Sequence, residues 1–86
     1  MSTIRINKFI GKPIMSTDGV LVGVIDNVVV DTRTGKLEYV LAKVSDQIDP
    51  KDYKTDPAGR LVLPFSGIQA VKNVVVMKMP EPEEIE

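Results

Sequence analysis

The chain has no cysteine, no histidine and no tryptophan, and its aromatic content stops at two phenylalanines and two tyrosines. Without cysteine there is no disulfide, no thiolate nucleophile and no sulfur-ligand metal site. Without histidine the chain lacks the side chain whose unperturbed pKa lies near neutrality, and with it the commonest general base, proton shuttle and neutral zinc ligand. Catalysis would have to be built from Asp, Glu, Lys, Ser, Thr or Tyr alone. Long apolar runs are missing too, since no span approaches the roughly 18 residues that a bilayer crossing requires. Met1-Ser2-Thr3-Ile4-Arg5 has neither the basic region nor the apolar stretch and cleavage site of a secretory leader. The expectation is a cytoplasmic protein with no direct membrane insertion.

What is present points to sheet. The 86 residues are enough for one domain with a limited core. They include 13 valines, 8 isoleucines and 5 threonines, side chains that suit a pleated, half-buried surface. Charge is nearly balanced at 11 basic and 12 acidic residues, but Glu81, Glu83, Glu84 and Glu86 all follow Pro80. Residues 1–79 therefore carry 11 positive and 8 negative charges. That surplus is too small and too scattered to mark a phosphate-binding surface, which calls for a clustered patch.

Turn residues divide the valine-rich segments. Pro13 would interrupt the ladder of a central strand, so residues 13–16 are expected at a sheet edge or in a lead-in segment. Asp18-Gly19 is a hairpin signal. In the run from Val20 to Asp31, Asp26 and Asn27 break both apolar parities, and one extra residue there would re-phase the two faces as a β-bulge. Gly23 suits a close backbone approach in the same run. Asp31-Thr32-Arg33-Thr34-Gly35 reads as the next turn, and Gly19 and Gly35 are expected to have positive φ. Leu37, Tyr39 and Leu41 alternate with Glu38, Val40, Ala42 and Val44, the pattern of a central strand beside residues 20–30. Residues 45–59 form a long polar loop. Further strands are expected near 60–63, 68–71 and 74–79, with an irregular helical turn after Pro64 and a tight reversal at Lys72-Asn73. Six or seven strands result.

No catalytic, cofactor-binding or metal-binding residue is expected. Asp26 within a valine strand reads as a carboxylate satisfied at a bulge or by a neighbouring turn, with catalysis or partner contact as the alternatives. Asp31-Thr32-Arg33-Thr34-Gly35-Lys36 ends like a phosphate-binding loop, but Leu37 replaces the required hydroxyl and Val30 stands in place of the first glycine. Asp46, Asp49, Asp52 and Asp56 lack the spacing, central glycine and closing glutamate of a calcium loop. They suit turn capping in a solvated loop. Lys8, Lys12, Lys72 and Lys78 could line a nucleic-acid surface, but no aromatic is paired with them in a known motif. Nucleic acid is therefore not the expected partner. Phe9, Tyr39 and Phe65 read as core or edge aromatics, with a subunit interface as the alternative. The run Val74–Met79 is apolar on both parities, and as a terminal strand it could pair with a second copy to protect its edge. A homodimer is expected. Residues 80–86 alternate proline and glutamate around Ile85 and read as an extended, flexible acidic tail following a single domain of residues 1–79.

Gly11-Lys12-Pro13-Ile14, Thr17-Asp18-Gly19, the stretch from Val22 to Asp31, and Thr34-Gly35-Lys36-Leu37-Glu38-Tyr39-Val40-Leu41 closely resemble the start of the PRC-barrel family. That family is named for the cytoplasmic barrel of the photosynthetic reaction-centre H subunit. Asp56-Pro57-Ala58-Gly59-Arg60-Leu61-Val62-Leu63-Pro64-Phe65-Ser66-Gly67-Ile68 resembles the family's approach to its proline and short turn, and Val71–Val76 its closing strand. The resemblance spans residues 9–79 and implies an all-β fold, a small, strongly curved antiparallel β-barrel without a catalytic site. The chain is most similar to the short stand-alone archaeal members, some of which are cell-division adaptors beside the membrane anchor of the tubulin-like division ring. This implies a dimeric, non-enzymatic interaction module recruited to the division site by a protein partner. A ribosome-associated barrel, as in the maturation-factor relatives, is the alternative.

Overall fold

The computed structural model describes residues 6–80, which fold into a six-stranded sheet. The strands are β1 (Pro13–Ser16), β2 (Leu21–Val30), β3 (Leu37–Val44), β4 (Leu61–Pro64), β5 (Ile68–Val71) and β6 (Val75–Met77). They lie side by side in the order β4-β3-β2-β1-β6-β5. Short 3₁₀ turns occupy Ile6–Lys8, Pro50–Asp52 and Phe65–Gly67. No helix among the described residues is long and apolar enough to cross a membrane. The leader-like region expected to be absent at residues 1–5, and the tail from residue 81 on, lie outside the described residues.

Local chemistry sets the hairpins. Between β1 and β2, the Gly19 amide donates to the Ser16 carbonyl at 2.9 Å, and the Val20 amide donates to Ser16 Oγ at 3.1 Å. Between β2 and β3, Asp31 Oδ1 accepts the Arg33 amide at 2.8 Å, while the Gly35 amide donates to the Asp31 carbonyl at 2.7 Å. Gly19 and Gly35 close these turns at φ 83° and 74°, the left-handed region expected of them. The bulge also falls where the sequence placed it. Register along β2 and β3 shifts between Ile25 and Asn27, and Asn27 Oδ1 accepts the Val28 amide at 2.8 Å. Ahead of the shift Gly23 and Ile25 are buried; beyond it Val28 and Val30 are half-buried while Asn27 and Val29 are exposed. The extra residue thus moves the inward positions from odd, at Gly23 and Ile25, to even, while the fully buried Val22 lies at a second register shift, where the pairing with β1 steps from Ile14 opposite Gly23 to Met15 opposite Leu21.

Phe9, Ile14, Val22, Ile25, Val40, Ala42, Leu61, Leu63, Val75 and Met77 form the core. It draws on every strand except β5, whose Ile68 packs against it from a half-buried position. Gly23 is opposite Val44, and a Cβ built on it would collide with the Lys43 carbonyl oxygen. The close approach expected at this glycine is therefore that of β3.

Three expectations are corrected. The sheet is not a closed, strongly curved antiparallel barrel: β4 and β5 end it without pairing to each other, and β1 runs parallel to β6. The loop before β4 shows why this edge does not close. Its returning arm occupies the outer side of β4, with the Val62 amide donating to the Lys54 carbonyl at 2.9 Å, a bridge from Thr55 to Leu61, and the Asp56 amide donating to the Arg60 carbonyl at 2.9 Å. The strand that begins with Pro13 is interior, flanked by β2 and β6. Proline is tolerated there because it is the first residue of the strand. The ladder around it is continued by Lys12, whose carbonyl accepts the Ile25 amide at 2.9 Å. Finally, β6 is not an edge. It pairs with β1 on one side and β5 on the other, so its backbone cannot be the seam between two copies.

Candidate interaction surface

The conspicuous charges within the sheet are tied to one another. Arg60 Nη1 donates to Asp26 Oδ2 at 2.8 Å and Arg60 Nε to Asp56 Oδ2 at 2.8 Å. Asp56 Oδ1 also accepts the amides of Ala58 at 3.0 Å and Arg60 at 2.8 Å. Lys43 Nζ stands 4.0 Å from Asp26 Oδ1. Asp26 thus follows the structural reading of a carboxylate satisfied beside a bulge, but its main partner comes from 34 residues away. Sequence reasoning missed Arg60 because nothing local ties it to β2.

Burial pushes the Asp56 carboxyl up, but the Arg60 amide and guanidinium outweigh it and hold the group below its ordinary value of 3.8. Hydrogen bonds to Asp26 and then Asp56 raise the Arg60 guanidinium above its ordinary range. Neither group is poised to exchange a proton near neutrality. Because the Asp56 pKa is depressed in the fold, its stabilising contribution is present above about pH 4 and is lost as pH falls through the native value. Asp56→Asn should accordingly lower the melting temperature at pH 7, and its deficit relative to the parent should shrink as the pH is lowered below about 4. Thermal melts from pH 7 to pH 2 check this; a deficit that stays constant with pH would remove the carboxylate from the account.

The loop aspartates do not converge. Asp49 Oδ1 accepts the Lys51 amide at 2.9 Å and caps the turn Pro50–Asp52, while Asp56 serves Arg60. Among the described residues no group of three or more aspartates or glutamates could hold a metal ion. Asp31 is likewise committed to its turn, with the Arg33 amide the main influence lowering its pKa.

A different surface remains available. Phe9, buried just before β1, meets the ring of Phe65 edge-on at 5.5 Å and 77°. This contact fixes the turn after β4 against the segment leading into β1. Beside it lies an open groove of about 650 Å³, with Ile68, Ala70 and Val71 of β5 along one side and Lys8 and Lys12 along the other. Two of the four lysines weighed for a nucleic-acid surface, Lys8 and Lys12, line this groove, and Lys12 Nζ donates to the backbone carbonyl of a third, Lys72, at 2.7 Å. The fourth, Lys78, lines a separate hollow with Pro64, Ser66, Gly67, Met79 and Pro80. Tyr39 lies on β3, half-buried opposite Pro64. The groove itself was invisible in the sequence, because its two sides are some 55 residues apart along the chain.

Fold and surface together define a small all-β binding domain whose polar groups serve the scaffold. Residues 1–83 match the PRC-barrel domain family, and the chain belongs to it. PRC-barrel domains are non-catalytic modules, generally of protein interaction. No curated protein matches the chain.

Proposed function

We propose that this PRC-barrel domain is a dimeric adaptor of the archaeal cell-division machinery, acting in the cytoplasm beside the membrane anchor of the tubulin-like division ring. The observation that carries the reading is the division of labour between polar and apolar groups. The Asp26–Arg60–Asp56 cluster, with Lys43 4.0 Å from Asp26 as its second cation, balances its own charge, whereas Phe65, Ile68 and Val71 line an open groove suited to holding another chain. The family match over residues 1–83 and the resemblance to stand-alone members support the adaptor role.

Affinity purification of the tagged full chain from its native cells should recover the division-ring anchor, and sedimentation should give twice the 9.5 kDa chain mass. Recovery of ribosomal subunits without the anchor would transfer the protein to ribosome maturation. A chain that sediments as a monomer at micromolar concentration would remove the dimer.

A further inference from the structure

We propose that the groove beside β5 receives an extended acidic peptide carrying an apolar side chain, laid along the outer edge of that strand. This deepens the protein-binding reading and rests on it. The first support is the state of the two sheet edges. The outer side of β4 is taken by the arm Lys54–Asp56, whereas among the described residues no strand pairs with the outer side of β5. Ile68–Val71 contains neither proline nor charge, the usual guards of an exposed edge. A guest strand there would gain main-chain hydrogen bonds and could seat alternate side chains in the groove.

The second support is charge. Every aspartate and glutamate among residues 6–80 lies between Asp18 and Asp56. Residues 6–17 and 61–80, which supply β1, β4, β5, β6 and both sides of the groove, carry Lys8, Lys12, Lys72 and Lys78 and no acidic residue. The weak overall balance conceals this segregation. Lys8 and Lys12 flank the groove, and opposite-charge complementarity selects a carboxylate-bearing guest and speeds its encounter. The third support is the floor. Val71 is 41% exposed and Ile68 half-buried, which leaves apolar area for one guest side chain. Gln69, the residue that the β5 bulge leaves without a partner on β6, adds a side-chain amide to the groove. The apolar floor and the open strand edge favour a peptide over a nucleic acid, whose bases would seek aromatic faces to stack on, whereas here Phe9 is buried and the half-buried Phe65 is set edge-on against it.

The test titrates the full chain into a fluorescein-labelled peptide, Asp-Glu-Val-Glu-Ile-Glu, and reads anisotropy at two salt concentrations. Parallel titrations use the same peptide with Asn and Gln replacing its acids, and a 12-nucleotide oligothymidylate. The acidic peptide should bind, with salt weakening it and the amide version at least tenfold weaker. The variants Lys8→Glu and Lys12→Glu, at the two lysines that line the groove, should each weaken binding several-fold and together at least tenfold, with the fold retained in circular-dichroism melts. Lys51→Glu, in the distant loop, should have no effect. No binding of the acidic peptide, equal binding of its amide version, indifference to the two groove variants, or tighter binding of the oligothymidylate would each overturn the proposal. Binding that emerges only after truncation at Pro80 would assign the groove to the chain's own acidic residues 81–86 and overturn an outside partner. A double variant that loses the peptide but still captures the division-ring anchor would sink this site while leaving the adaptor reading intact.

Discussion

Replacing Gly23 with alanine should lower the melting temperature by roughly 10 to 20 °C, with the fold otherwise retained. The added methyl would meet the Lys43 carbonyl oxygen, which is backbone and cannot swing aside. Relief requires β2 and β3 to separate where Gly23 faces Val44, beside the buried Val22 and Ile25. Overpacking of this kind costs about 1–3 kcal/mol when side chains can yield, and the upper end applies where backbone must move. For a domain of this size each kcal/mol is about 4–8 °C. Circular-dichroism melts of the variant and parent make the comparison, and an unchanged midpoint would show that the two strands can part there freely.

Leu61→Ala should have an effect as large or larger. Leu61 is wholly buried on β4, opposite Ala42, in contact with a core drawn from five strands. Truncations of buried leucines cost about 2–5 kcal/mol, the transfer free energy plus that of the cavity left behind. Ala42 is too small to fill the space from across the ladder. Val62→Ala, at the half-buried position next in the strand, should cost clearly less. Urea titrations of both variants decide this, and equal losses would mean that the alternation along β4 does not set its inner face.

Much of the local structure was legible because turns and bulges are short-range chemistry. Asp18-Gly19 and Thr34-Gly35 announced their hairpins, and Asp26-Asn27 announced a change of phase within β2, since each signal lies within a few residues of the feature it makes. The strand boundaries followed from the same punctuation. Strand order was not legible. Pro13 suggested an edge because proline interrupts ladders, but its position at the start of β1 made it harmless in the middle of the sheet. Val74–Met79 suggested an edge because it comes last, yet the reversal at Lys72-Asn73 brings β6 between β1 and β5. The family resemblance suggested closure, and the arm Lys54–Asp56 instead covers β4. The candidate surface was hidden for the same reason: its lysines were visible singly, but their meeting with β5 depends on contacts that span most of the chain.

The parallel pairing of β1 with β6 bears on how the molecule is born. Met15 and Val76 are partners across this ladder although 61 residues separate them, and Val75 and Met77 complete a core to which the first strand contributes Ile14. On the ribosome, β1, β2 and β3 can emerge and pair as neighbours, but the place beside β1 stays empty until residues 75–77 have been made. Native packing is therefore reached only after nearly the whole of this chain is synthesised, and the closing step bears the loop-closure entropy of joining its first and last strands. Until then Ile14 and its neighbours on β1 present an unpaired edge, which makes the half-made chain, rather than the finished sheet, the stage most exposed to aggregation.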